Sequence, residues 1–93
     1  MNTAHKGRRG EHRVRAILEA AGYTVVRAAA SKGPVDLVAW NGGNFRLIQV
    51  KTGGGYPSAI EREVLSGLVR PANATVELWR LPDREQPIVE VLR

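Results

Sequence analysis

The chain has no cysteine, which removes disulfides, thiolate zinc sites and thiol nucleophiles together. Long apolar runs are missing as well. No stretch approaches the roughly 20 apolar residues of a membrane-spanning helix, so no membrane partner is expected. The N-terminus is basic but no apolar segment follows it, so a secretory signal is not expected either. Acids are scarce: nine Asp and Glu stand against fourteen Lys and Arg, a net charge of +5 on 93 residues. With an isoelectric point near 10.5, the balance suggests a polyanionic partner, and nucleic acid is the commonest one. A protein that is merely basic and soluble has the same total, so distribution matters. Lys6, Arg8, Arg9, Arg13 and Arg15 crowd the N-terminal end, and Arg27, Lys32, Arg46 and Lys51 surround the central segment. Neither repeats nor a linker divide the sequence. We expect residues 1–93 to form a single cytoplasmic domain. A chain this small buries only about 60–65% of its unfolded surface, so a dimer interface would add useful apolar burial.

The central segment runs from Ser31 to Lys51. Two strand-like runs flank Asn41-Gly42-Gly43-Asn44, a strong short-range sign of a β-hairpin. Whether the loop is Gly42-Gly43 or the whole cluster, the expected register is the same. Trp40 faces Phe45, Val38 faces Leu47 and Asp36 faces Gln49, and alternation puts these residues and Lys51 on one face. A carboxylate, an amide and an ammonium then converge at the open end of an apolar hairpin. The opposite face holds Leu37, Ala39, Ile48 and Val50, with Arg46 the single charge. A hairpin apolar on both faces is expected inside a sheet covered on both sides, hence an α/β layered fold.

Before the hairpin, residues from about His5 to Ala21 have helical periodicity, with Val14, Ile17, Leu18 and Ala21 on one stripe. Gly7 and Gly10 are poor helix formers, so the regular helix is expected to begin near Gly10, and Gly22 to end it. Glu11 shares the stripe of Val14 and Leu18, which turns its carboxylate towards the sheet; a first-turn acid on the helix dipole is the plainer alternative. Tyr23 to Ala30 reads as a strand. After Lys51 comes Thr52 to Pro57, a glycine-rich loop but not a phosphate-binding one, since no Gly-Lys-Ser/Thr follows. Ser58 and Glu61 form a capping box ahead of a helix with Ile60, Val64, Leu65 and Leu68 on its stripe, ended by Arg70-Pro71. Strands are expected over Thr75 to Leu81 and Ile88 to Leu92, giving the order αβββαββ. His5 and His12 lack the spacing of a zinc-binding pair.

Glu11, Asp36 and Gln49 offer hard oxygen donors, and Lys51 a charge on the same strand face. Magnesium keeps several waters and uses one or two carboxylates from a protein. A cation held there would activate water and stabilise charge on a phosphate, with the lysine assisting. That is the chemistry of a metal-dependent phosphodiesterase acting on nucleic acid.

Pro34-Val35-Asp36 followed by Gln49-Val50-Lys51 resembles the PD-(D/E)XK nuclease signature, and with Glu11, the element order and the basic charge the likeness becomes fairly specific. Within that superfamily the chain is most similar to the archaeal-type Holliday junction resolvases. The similarity takes in Lys6-Gly7, Glu11, Gly22-Tyr23, Val25-Val26-Arg27, Ser31, Asp36 to Ala39 and Gln49-Val50-Lys51. It implies a restriction-endonuclease-like αβββαβ core, with a central mixed sheet flanked by helices. It also implies Mg2+, with Mn2+ as a substitute, bound by Glu11, Asp36, Gln49 and the Val50 carbonyl. Lys51 would be the catalytic lysine, and Ser31 would sit near the scissile phosphate. Lys6, Arg8, Arg9, Arg13, Lys32 and Tyr56 are the expected DNA contacts. The implied activity is paired symmetric nicking of four-way junctions by a homodimer. The alternatives are another nuclease on the same core, restriction- or repair-like, and a non-catalytic DNA-binding module. One position departs from the family pattern: Gln49 stands where Glu or Asp is usual, and an amide brings no negative charge.

Overall fold

The computed structural model describes residues 3–28 and 33–93, with side chains from Arg8 onward. Ser31, Lys32 and the side chain of Lys6 lie outside the described residues.

The first helix, α1 (Thr3–Ala20), runs straight through both glycines instead of starting at Gly10. Gly10 is there for space. It is buried where α1 crosses the sheet, and a Cβ added to it would collide with Thr52 Cγ2 while sitting 3.3 Å from Leu81 Cδ1. The helix ends as expected: Gly22 has φ 95°, and the Tyr23 amide donates to Leu18 O while that of Gly22 donates to Glu19 O, each at 3.0 Å. This paired closure satisfies carbonyls that a helix end otherwise leaves open. Val14 and Leu18 are buried, but Ile17, expected beside them, lies at the rim.

Five strands follow, with a second helix between the third and fourth. They are β1 (Thr24–Arg27), β2 (Leu37–Asn41), β3 (Asn44–Thr52), α2 (Ala59–Ser66), β4 (Ala74–Leu81) and β5 (Ile88–Val91). The sheet order is the chain order, antiparallel except for the parallel β3–β4 pair. The expected hairpin is present: Trp40 pairs with Phe45, Val38 with Leu47, and Asn41 with Asn44 around a Gly42-Gly43 loop. Of the run expected from Tyr23 to Ala30, strand β1 takes Thr24–Arg27, paired with β2 as far as Leu37; Ala29 and Ala30 lie outside the described residues.

The face against α1 is the main core, with Val14 and Leu18 packed on Val25, Leu37, Ala39, Ile48, Val50, Trp79 and Leu81. Burying a side chain of this size contributes about 1.5–3 kcal/mol. At its rim the core holds an ion pair. Glu77, 2% exposed, accepts three hydrogen bonds from Arg46: from Nε at 2.8 and 3.1 Å, and from Nη2 at 2.7 Å. It also accepts from Thr75 Oγ1 at 2.6 Å and from Trp79 Nε1 at 3.0 Å. The Arg46 guanidinium lies over the Tyr23 and Trp79 rings. Burial pushes the Glu77 carboxyl up, but these donors outweigh it and hold it below its ordinary value.

The other face is covered less than the hairpin's two apolar faces suggested. Leu65 from α2 is buried there with Ala74, Val76 and Leu78. Trp40 and Phe45, with ring centroids 6.0 Å apart, remain half-buried and exposed. Helix α2 ends at Ser66, before Leu68, and of its apolar stripe Ile60 and Val64 face solvent. No helix among the described residues is long and apolar enough to cross a membrane.

Two outcomes test this packing. Gly10→Ala relieves a helix penalty of about 0.5–1 kcal/mol but overpacks the crossing by about 1–3 kcal/mol. Its melting temperature should fall, and Gly10→Ala/Thr52→Ser, which removes the obstructing methyl, should recover most of the loss. Arg46→Met strands a buried carboxylate and should cost about 3–5 kcal/mol at neutral pH. The pH dependence should also change sign. In the wild type the depressed Glu77 carboxyl contributes stability that is lost as pH falls through its folded value. In the variant burial dominates, the carboxyl rises, and acidification restores stability, as melting curves between neutral and acid pH would record.

Candidate active site

The site begins with an irregularity in the hairpin. Leu37 is paired with Ile48, and the Asp36 amide donates to that same Ile48 carbonyl at 2.8 Å. Two residues of one strand therefore answer to one of the other, which is a β-bulge, a device that re-aims a side chain. The expected pairing of Asp36 with Gln49 is thus corrected: the ladder stops at Leu37. The bulge turns the Asp36 carboxylate to the backbone of β3, where Oδ2 accepts the Val50 amide at 2.9 Å. The Asp36 carbonyl is taken by the Ala28 amide at 2.9 Å. This residue is held at three atoms.

Burial pushes the Asp36 carboxyl above its ordinary value, and the nearby Glu11 charge adds to that. The Val50 amide, Lys51 and Arg27 pull the other way without cancelling the shift. The ionised carboxylate is consequently poorly solvated, and a positive charge beside it is favourable.

Asp36 and Gln49 line one open cavity of about 320 Å³ together with Ile60, Glu61, Val64 and Leu65 of α2 and with Gly33 and Pro34. Lys51, further along β3, has its ammonium 2.7 Å from Glu61 Oε2. Glu61 sits in the first turn of α2, its amide donating to Ser58 Oγ at 3.0 Å and its Oε1 accepting from Ser58 N at 3.4 Å. Lys51, then the Ser58 amide, hold the Glu61 carboxyl below the ordinary carboxylate range. The sequence marks Glu61 as a cap; its reach to Lys51 depends on where α2 lies, which no local pattern reveals.

Glu11 is on the buried side of α1 as expected, and its Oε1 accepts from Arg27 Nε at 2.7 Å. It lines a neighbouring crevice with His12, Arg15, Arg27 and Leu37, apart from the cavity of Asp36 and Gln49. Its charge still reaches Asp36. Among the described residues no three His, Asp or Glu side chains are grouped closely enough to hold a metal by themselves. The donors that share a cavity are two carboxylates and an amide.

Of the basic residues, Arg8, Arg9 and Arg13 are exposed on α1. Arg9 and Arg13 border an open groove of about 300 Å³ with Thr52, Gly53 and Arg84, next along β3 from Lys51. Arg13 Nη2 also donates to Glu85 O at 3.3 Å. Arg84, which the sequence did not single out, has a left-handed backbone with φ 61°. Tyr56 is 67% exposed and carries the Arg80 guanidinium 4.5 Å above its ring.

A five-stranded mixed sheet with α1 on one face, and an acid–amide–lysine set at the end of its hairpin, now invites comparison. The family described as archaeal Holliday junction resolvase (hjc) matches residues 2–78. The chain belongs to this family. It is also similar in structure to Archaeoglobus fulgidus Hjc, a Holliday junction resolvase from an archaeal hyperthermophile. The TM-score is 0.78 at 28% identity, over 94% of this chain and 73% of that one. No curated protein sequence matches. The fold is the restriction-endonuclease-like one, and family membership makes the chain a Holliday junction resolvase at family level, one of the junction-cleaving nucleases.

The Asp36 geometry can be tested without cleavage. Asp36→Asn keeps an oxygen for the Val50 amide and removes a poorly solvated charge, so melting at neutral pH should stay level or rise. Asp36→Ala leaves that amide unsatisfied and should cost about 1–3 kcal/mol. If both variants melt alike, the hydrogen bond does not hold the site.

Proposed function

We propose that this resolvase-family chain is a divalent-metal-dependent endonuclease that, as a homodimer, cuts four-way DNA junctions by paired symmetric nicks. The observation that carries the reading is the Asp36 carboxylate, fixed by a bulge and the Val50 amide in a cavity it shares with Gln49. The donor chemistry fits Mg2+, with Mn2+ as a substitute. Every candidate ligand is a hard oxygen, and the chain has no cysteine to favour a softer ion. Asp36, Gln49, the Val50 carbonyl and Glu11 would hold the cation. A strand residue sends its carbonyl to the same edge as its amide, so the Val50 carbonyl is directed towards Asp36. Bound there, a divalent ion supplies an activated water and offsets charge on the phosphate.

The chain's own residues do the rest. Lys51, released from Glu61, donates to the phosphate or orients the attacking water. Ser31 is assigned to the scissile phosphate by resemblance to the family. Arg8, Arg9 and Arg13, with Lys6 and Lys32, track the DNA backbone, and Tyr56 touches it beside the glycine-rich loop. Support for the dimer comes from the incompletely covered sheet face, where Phe45 is exposed beside Trp40 and Val26 is exposed opposite Val38. One observation favours a second reading: with Gln49 neutral, a binding module that has lost turnover would keep the same fold and basic surface.

Labelled four-way junction, matched duplex and flap, each with magnesium or manganese, separate these readings. Symmetric nicks in the junction alone are the expected outcome, and Asp36→Asn should abolish them while junction binding stays near wild type. Cutting of all three substrates would point to a less selective nuclease, and tight binding without cutting to the module. Light scattering should return a dimer mass at micromolar concentration.

A further inference from the structure

The cavity of Asp36 and Gln49 contains a second carboxylate, and it is not the one the family pattern supplies. We propose that Glu61 of α2 completes the cation position at Asp36, providing the negative charge that Gln49 lacks; the inference rests on the metal-dependent reading above.

Three observations converge on Glu61. It lines the same cavity as Asp36 and Gln49, whereas Glu11 lines the neighbouring crevice with its carboxylate held 2.7 Å from Arg27 Nε. Its Oε2 is 2.7 Å from the Lys51 ammonium, so the carboxylate already reaches the functional end of β3. Its position is anchored independently of the site. Leu65, one helical turn on, is 2% exposed. The adjacent Arg62 pairs with Glu90 through two bonds of 2.6 and 3.2 Å, tying α2 to β5. The contact to the Ser58 amide is long, at 3.4 Å, and a carboxylate offers about four acceptor positions over its two oxygens. Lys51 and Ser58 therefore leave room for a cation.

The charges add up as the chemistry requires. A hard divalent ion bound by a protein uses one or two carboxylates and keeps several waters. Asp36 with a neutral Gln49 provides one. Glu11, the other acid assigned to the cation, is already paired with Arg27 in the neighbouring crevice, so Glu61 supplies from across the cavity the negative charge that Glu11 cannot give in full. Lys51 and a divalent ion compete for the Glu61 carboxylate, so cation binding frees the ammonium to face a phosphate.

The test is calorimetric titration of Mn2+ and Mg2+ into DNA-free protein, alongside the magnesium-induced shift in melting temperature, which grows with affinity for the folded state. Glu61→Gln should weaken metal binding by at least about tenfold, the scale at which even outer-shell partners act. Gln49→Glu placed in that background should recover most of it. Lys51→Gln, which removes the competing cation, should strengthen binding. If Lys51→Gln and Glu61→Gln weaken it equally, Glu61 acts only through Lys51 and the proposal falls. If Glu61→Gln binds like wild type while Asp36→Asn does not, Glu61 is no ligand but the Asp36 site stands. Should Asp36→Asn also bind like wild type, the metal reading itself fails. Melting curves without metal confirm that each variant folds, and the Lys51→Gln and double-variant arms decide the matter if Glu61→Gln alone does not.

Discussion

The site depends on one hydrogen bond, from the Val50 amide to the Asp36 carboxylate. β3 is the central strand of the five, paired on both sides, antiparallel to β2 and parallel to β4. A side chain bonded to its backbone is tied to the middle of the sheet. The bulge at Asp36 makes the bond available by ending the regular ladder at Leu37 and Ile48. A regular ladder would have sent Asp36 out along its strand's alternation. Here a local defect in the sheet becomes the fixed point of the chemistry, consistent with the frequency of bulges beside functional sites.

Two ion pairs show how environment separates structure from function. Glu77 is enclosed, with its side chain 3% exposed, and multiply bonded beneath an Arg46 guanidinium that lies over two rings, so removing Arg46 strands a charge without water. Lys51 and Glu61 are more open, with side chains 24% and 45% exposed. Pairs of that kind contribute only about 0–1 kcal/mol. The first is too costly to break in the course of a reaction, while the second can be exchanged for another cation or a phosphate at little expense to the fold. Charge type alone does not distinguish them.

Much of this was legible in the sequence because it is local. The Asn-Gly-Gly-Asn cluster and the alternation around it gave the register of Trp40 with Phe45, and Gly22 and Ser58 marked helix ends where they occur. What failed was decided across distance. A bulge adds one residue without any change in residue type, so Asp36 was expected opposite Gln49. The partnership of Arg46 with Glu77 spans 31 residues and follows from the parallel β3–β4 pairing. Glu61 was readable as a cap and unreadable as a site residue, since its reach depends on where α2 settles. The same holds for Ile60 and Val64, whose apolar stripe promised burial that a short helix over one part of the sheet does not deliver.

Gly10 adjoins Glu11, and Thr52 adjoins Lys51, so the contact between Gly10 and Thr52 acts as a spacer between the two halves of the site. The side chains at these two positions set how closely helix and strand approach, and thereby how far apart an acid and a lysine on different elements can stand. Neither spacer residue carries chemistry, yet a larger one would have to be matched by a smaller one opposite. Positions 10 and 52 are therefore coupled through space: the volume added at one has to be taken from the other if the separation of their neighbours is to be kept.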